Sequence, residues 1–169
     1  MTRLKPLVIY YSRTGSTAEI ATHIIKKAEG IGRRLIEEKP TTNIVASFTA
    51  RVGLKTRLKS PDYTLHGFDP IIILSPVWAS RPTPAINTYI DGIDLKGKKV
   101  IAALVGTRHQ NPEAMSILRN SIISRKAKYV ETIYIRGLPI NAKERQPTKE
   151  DLRASAERIM RLIEGIIDI

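Results

Sequence analysis

Three stretches of the chain are apolar almost without a break: PLVIYY at 6–11, PIIIL at 70–74 and KVIAALV at 99–105. A strand with one face in water alternates apolar and polar residues, so a continuous run points to burial on both faces. Central strands of a parallel sheet meet that condition, because helices cover each side. Parallel neighbours also need a crossover, which is usually a helix. Two shorter candidates, Arg34–Glu38 and Tyr129–Ile135, bring the set to five strands.

Helical patterns fill the intervals. Thr17, Ile20, Ala21, Ile24, Ile25 and Ala28 repeat at helical spacing, and Gly30 closes the segment. A second helix is expected from Pro82 to Ile90. A third begins with Asn111 as N-cap and Pro112 at the first helical position. The last begins at Thr148, with Asp151 three residues on in a capping-box arrangement. Its apolar face is Leu152, Ala156, Ile159, Met160 and Ile163. Strand and helix in near-regular alternation predict an α/β fold with a doubly wound sheet. No repeat or long linker interrupts the 169 residues, so 1–169 is read as a single domain.

The absence of cysteine excludes disulfides, thiolate metal sites and a cysteine nucleophile. It also agrees with a reducing compartment. No apolar run approaches the ~18 residues that span a membrane. The N-terminal run leads into a polar loop rather than a cleavage site, so it is read as the first strand and the protein as cytoplasmic. The net charge of +12 attracts nucleic acid, acidic proteins or anionic membrane. No aromatic interleaving accompanies it, and the reading taken is a solvated basic surface. The segment 40–61 holds Arg51, Lys55, Arg57 and Lys59 and no acidic residue. As a short helix it would carry a basic stripe, either a solvated face or a dock for an acidic partner.

The first strand leads into SRTGST at 12–17, where hydroxyls crowd around one glycine. In a doubly wound sheet, ligands sit at the carboxyl ends of the strands. There the loop meets a helix N-terminus, whose open N–H groups and dipole favour an anion. Gly15 lets the backbone close around it. The hydroxyls of Ser12, Thr14 and Thr17 can donate without adding charge, which suits a phosphate monoester. Neither G-x-x-x-x-G-K-[ST] nor the dinucleotide fingerprint G-x-G-x-x-G occurs at this turn.

A second loop, SPVWASRPTPAI at 75–86, is stiffened by Pro76, Pro82 and Pro84 and carries Trp78, the sole tryptophan. An indole on a rigid loop at the ligand edge is a stacking platform; packed inward, it is core.

YSRTGST resembles the phosphate loop of the flavodoxin family, whose pattern is [ST]-x-T-G-x-[ST]. SPVWASRPTPAI resembles that family's second flavin loop, and the order of elements matches over nearly the whole chain. The resemblance implies a flavodoxin-like sheet of five parallel strands in order 2-1-3-4-5, helices on both faces, and non-covalent FMN. Ser12, Arg13, Thr14, Gly15, Ser16 and Thr17 would then hold the phosphate, and Pro76, Val77, Trp78 and Ala79 would line the flavin. The third loop departs from the family. It keeps Gly106, but no aromatic ring besides His109 follows it, and Thr107, Arg108 and His109 fall at the pyrimidine end of the flavin. An arginine about 6 Å from an anionic reduced flavin stabilises it by about 3 kcal/mol at an effective dielectric of ~20. A less reducing flavin than in the acidic flavodoxins is therefore expected.

The three histidines have no ligand partner at metal-binding spacing. His23 is placed on the exposed side of the first helix and His66 in a loop before the third strand. Ser12 and Ser75 have no evident relay for nucleophilic catalysis. No catalytic side chain and no metal ligand is assigned; the redox chemistry belongs to the cofactor. The resulting expectation is an FMN-binding flavodoxin-like redox protein, an electron carrier or a small reductase serving an acidic protein or a small acceptor. The alternative is a flavin-free basic module on the same scaffold, binding nucleic acid or an acidic protein.

Overall fold

A computed structural model describes residues 5–39, 55–107, 110–137 and 145–167. The elements in chain order are β1 (Lys5–Tyr10), α1 (Ser16–Lys27), β2 (Ile31–Arg34), β3 (Phe68–Trp78) and β4 (Arg81–Pro82). They continue with α2 (Pro84–Gly92), β5 (Lys99–Gly106), α3 (Pro112–Ser124), β6 (Tyr129–Arg136) and α4 (Lys149–Ile167). The strands run in the order β2-β1-β3-β5-β6, and every neighbouring pair is parallel. The two-residue β4 pairs antiparallel with the end of β3. With β4 set aside, this is the expected five-stranded order 2-1-3-4-5.

The continuous apolar runs divide by residue parity between two cores, as the alternation of side chains along a strand requires. Leu7, Ile9, Ile71, Ile73, Val100 and Ala102 face one side, against Ile86, Tyr89 and Ile90 of α2 and Leu118 and Ile122 of α3. Val8, Ile72, Leu74, Ile101, Ala103 and Val105 face the other, against Ile20 and Ile24 of α1 and Leu152, Ala156 and Ile159 of α4. Each fully buried aliphatic side chain contributes about 1.5–3 kcal/mol of transfer free energy. Both faces of β1, β3 and β5 carry that load, which is why neither face of the sequence could be polar.

The expected caps form. The Asn111 side chain accepts from the Ala114 N–H at 3.1 Å. Thr148 and Asp151 make a reciprocal box, with the Asp151 N–H donating to Thr148 Oγ1 at 3.1 Å and the Thr148 N–H to Asp151 Oδ2 at 2.8 Å. The predicted face of α4 is buried, as is that of α1 at Thr17, Ile20, Ala21 and Ile24, and α1 ends at Lys27.

Four boundaries differ from the sequence reading, the first being β3, which runs from Phe68 on to Trp78 and so takes in Ser75–Trp78, expected as loop after a strand 70–74, because Val77 and Trp78 pair with β4. The second strand is Ile31–Arg34, not Arg34–Glu38. It is an edge strand paired only with β1, mostly exposed, and so carries no apolar run to mark it. Residues 36–38 instead lie antiparallel to 57–59: the Glu38 N–H donates to the Arg57 carbonyl at 3.0 Å and the Lys59 N–H to the Ile36 carbonyl at 2.8 Å. The described part of the basic segment, from Lys55 onward, is therefore extended and not a helical stripe; Arg51 lies outside the described residues. Lys55 pairs with Asp91 at 2.6 Å. Finally, α2 starts at Pro84, because Pro82 is spent on the β3–β4 pairing opposite Val77.

Candidate functional site

The carboxyl edge of the sheet gathers the end of β1, the β3–β4 hairpin and the start of the loop after β5. At the first of these, Gly15 is the N-cap of α1, at φ 102°, a left-handed conformation open to glycine and strained for other residues. No side chain caps this helix, although hydroxyls surround it; α2 likewise starts without a side-chain cap, while α3 and α4 are capped by side chains. The Gly15 N–H donates to Ser12 Oγ at 3.2 Å, and Ser12 is buried. Arg34 closes the far side of the loop through its Nη2 donating to the Ser12 carbonyl at 3.2 Å. Thr14 and Gly15 are exposed, Arg13 and Ser16 half-buried, and Thr17 buried on the core face of α1. The N–H groups of the first helical turn thus open onto a loop whose outer residues reach solvent.

The second loop is a tight hairpin. Val77 pairs with Pro82 and Trp78 with Arg81, leaving Ala79 and Ser80 as a two-residue turn. Both have positive φ, 47° and 61°, the pattern of a type I′ turn that ordinarily takes Asn-Gly. Replacing Ser80 with glycine should therefore raise stability by up to about 1 kcal/mol, or about 2–4 °C in Tm, in a thermal melt. An unchanged or lowered Tm would show that this turn carries no strain. The hairpin is anchored from beneath by Ser75, fully buried, whose Oγ accepts the Thr83 N–H at 3.0 Å.

Val77 and Ala79 line a cleft of about 470 Å³ together with Ser80 and Thr107. Its opposite wall is Gln110 with the first turn of α3, at Asn111, Pro112 and Glu113, and Tyr134 of β6 also lines it. Tyr134 is buried against Gly106, where a Cβ would fall on its hydroxyl; the glycine makes room for the ring. That volume lies inside the roughly 300–1,000 Å³ of small-molecule sites.

Trp78, packed on the same core as Val77, meets the first loop. Its ring centroid lies 5.5 Å from that of Tyr11, with the planes at 85°. The Arg13 Cζ stands 4.6 Å from the indole centroid, at cation–π range. Tyr11 in turn donates its hydroxyl to Glu37 Oε2 at 2.8 Å, and both residues are buried. Burial pushes the Tyr11 phenol up to about 12, the Glu37 carboxylate beside it pushes the same way, and Arg13 opposes both.

Of the residues singled out in the sequence, Ser12 to Gly15 form the loop after β1 and Ser16 and Thr17 the first turn of α1, and Val77, Ala79 and Thr107 line one cleft. Pro76 is buried within β3 opposite Val105. Trp78 stands between loop and cleft, partly packed on the core. Arg108 and His109 lie outside the described residues. Sequence reasoning did not find Tyr134, Glu37 or the α3 cap residues as neighbours of the site. Asn111 had a signal, since a capped helix start at the carboxyl edge is a natural wall. His66 is exposed in the turn before β3, as expected. His23 is not on an exposed face: it is half-buried between α1 and α4, at 2.8 Å from Glu157, which Lys27 also reaches at 2.6 Å. Among the described residues, no cluster of three acidic or histidine side chains could hold a metal ion, and no helix is long and apolar enough to cross a membrane.

No protein-family model and no curated protein matches the chain. Solved structures do. A flavoprotein in complex with FMN from Lactobacillus acidophilus NCFM superposes with a TM-score of 0.60 at 20% identity, covering 79% of this chain and 92% of that one. Oxidised flavodoxin 2 from Bacillus cereus gives 0.54 at 19% identity, over 96% of this chain and 99% of that one. The chain has the flavodoxin fold. The Trp repressor binding protein from Bacillus subtilis shares this flavodoxin-like architecture as well, with a TM-score of 0.63 at 14% identity over 94% of this chain and 98% of that one. At such identities the likeness is one of fold, and the chemistry must be argued from the site.

Proposed function

We propose that the chain binds FMN at the carboxyl edge of the sheet and serves as a redox protein, either a carrier of electrons or a small reductase. The observation that carries this reading is the uncapped N-terminus of α1, opening onto Ser12–Thr17 one hairpin away from a cleft of ring-binding size. The fold neighbour solved with FMN supports the choice of ligand. In this reading the phosphate is held by the backbone and hydroxyls of Ser12, Thr14, Gly15, Ser16 and Thr17, with Arg13 adding charge. Val77, Trp78, Ala79 and Thr107 border the ring, with Arg108 and His109 following in the chain.

The residues fit the group. The first loop offers donors and the positive end of a helix dipole, which favour a dianion. Arg13 follows β1, Arg34 and Arg136 end β2 and β6, and Arg81 opens β4 after the hairpin turn, so four guanidinium groups stand near this edge alongside the carboxylates of Glu37 and Glu113. Glu113 lies 3.9 Å from Arg81 and offsets part of that charge. Bound FMN supplies one- and two-electron transfer chemistry. The protein binds and orients it, and the apolar side of the cleft at Val77 and Ala79 keeps water from part of the ring.

Titration of the purified protein with FMN, followed by quenching of flavin fluorescence, tests this. The expected result is a Kd below 1 μM, that is, tighter than about −8 kcal/mol. Thr14→Ala and Trp78→Ala should each raise Kd about tenfold or more. No saturation up to ~100 μM, weaker than about −5.5 kcal/mol, would overturn the reading. Retention on heparin with a steep salt dependence would then favour a basic binding module.

A further inference from the structure

We propose that the amino edge of the sheet, at the end opposite the cleft, docks the phosphodiester backbone of a nucleic-acid duplex through Lys96, Lys126 and Lys128. The inference does not depend on the reading of the cleft. It takes up the net charge of +12, most of which a single bound phosphate leaves unmatched.

Two loops build this surface, 95–98 before β5 and 125–128 before β6. Their backbones are joined: the Leu95 N–H donates to the Arg125 carbonyl at 3.1 Å, the Gly97 N–H to the Lys126 carbonyl at 3.3 Å and the Lys128 N–H to the Lys98 carbonyl at 2.9 Å. Lys96, Lys126 and Lys128 are thereby carried on one fixed platform. All three are exposed, and no side-chain partner is seen for them among the described residues. Of the carboxylates beside them, Asp91 is engaged by Lys55 and Arg125, at 2.6 and 2.7 Å. Asp94 accepts the Lys96 N–H at 2.9 Å and offsets part of the charge. Lys126 stands at φ 64°, just past the end of α3, in the left-handed position that ordinarily takes glycine. The chain thus keeps an exposed cation where a residue without a side chain would be less strained.

The chemistry of the surface selects among polyanions. Residues 114–130 hold no acidic side chain, and the solvent side of α3 continues the surface with Ser116, Asn120 and Ser124. Lysines, hydroxyls and side-chain amides are groups that contact nucleic-acid phosphates. The arginines that would grip a carboxylate with two parallel bonds are occupied: Arg119 donates to the Val130 carbonyl and Arg125 to Asp91. Ile123 is the one large apolar side chain exposed on α3, too little for the aromatic-rich centre of a protein interface. Neither the two loops nor α3 contains an aromatic ring on which the bases of a single strand would stack. A duplex offers its backbone with the bases already paired, and lysine point charges suit that contact.

Fluorescence anisotropy of a short labelled DNA duplex, titrated with the protein between about 50 and 200 mM salt, tests this. Lys96→Gln, Lys126→Gln and Lys128→Gln combined should weaken binding at least about tenfold at the lowest salt. The slope of log binding constant against log salt should become shallower by about 2–3, since each phosphate contact contributes about 0.9. Lys59→Gln, Lys149→Gln and Arg158→Gln combined remove the same charge elsewhere and should change the slope by less than about 1. Lys126→Gly should weaken binding about threefold while Tm holds or rises, because glycine suits the left-handed turn. Equal changes in the two triple variants overturn the proposal, since binding would then follow net charge and not this surface. So does a wild type that shows no saturable binding of the duplex at the lowest salt. Tighter binding of a single strand of the same length, or of phosphatidylserine vesicles, overturns it as well.

Discussion

Tyr11→Phe should lower stability by about 1–3 kcal/mol, and toward the upper end because the group left behind is a carboxylate. The hydroxyl donates to Glu37 at 2.8 Å in a buried setting, and no other hydrogen-bond partner for that carboxylate is seen among the described residues. Removing the donor leaves Glu37 out of water without its bond. Replacing both, as Tyr11→Phe with Glu37→Leu, should recover much of the loss, since an apolar pair leaves nothing unsatisfied. Urea denaturation of the two single variants and the double variant measures the coupling. Additive losses would mean that the bond contributes nothing specific. The pH dependence has a definite sign. Folding holds the phenol neutral, so its contribution is complete below the unfolded tyrosine value of about 10. It is lost as pH rises toward about 12, where the folded phenol ionises. The difference between wild type and Tyr11→Phe should therefore be flat from about pH 7 to 9 and shrink above about 10.

Ser75→Ala should cost about 1–3 kcal/mol and weaken ligand binding at the same time. Ser75 Oγ accepts the Thr83 N–H at 3.0 Å, and both residues are fully buried. This bond ties the end of β3 to the start of α2 across the hairpin that carries Val77, Trp78 and Ala79. Without it the Thr83 N–H is buried with no acceptor, and the hairpin loses the anchor that sets its distance from the α3 cap. Thr83→Val serves as the control. It removes only the 3.3 Å hydroxyl contact to Ser75 and keeps the backbone bond, so it should cost less than half as much. Equal losses in the two variants would show that the hydroxyls pack rather than anchor.

Much of the fold was legible because burial on two faces leaves a direct mark on composition. β1, β3 and β5 are continuous apolar runs because each feeds both cores. The α3 and α4 starts were legible because capping is local: donor and acceptor are three residues apart. β2 was misplaced because an edge strand held by main-chain bonds to one neighbour has no need of apolar side chains. The extended pairing of 36–38 with 57–59 was missed for a related reason, since its partners are about twenty residues apart and no periodicity joins them.

The site divides in the same way. That SRTGST joins a buried strand to a helix N-terminus could be read from its own residues and its place after a strand, since those signals lie within six consecutive positions. What those positions face could not be read. That Trp78 meets Tyr11 and Arg13 of the first loop depends on a two-residue turn with both φ positive, which Ala79 and Ser80 do not announce. The bond between Tyr11 and Glu37 spans 26 residues, and the cleft joins the hairpin after β3, the loop after β5, the cap of α3 and a tyrosine of β6. Sequence alone determined the strand-helix alternation and two of the helix caps, because each is set by neighbours within a turn or a strand. Tertiary structure decided the edge strand, the neighbours of Trp78 and the walls of the cleft. Those depend on contacts between segments far apart in the chain, where no local preference of the residues carries the information.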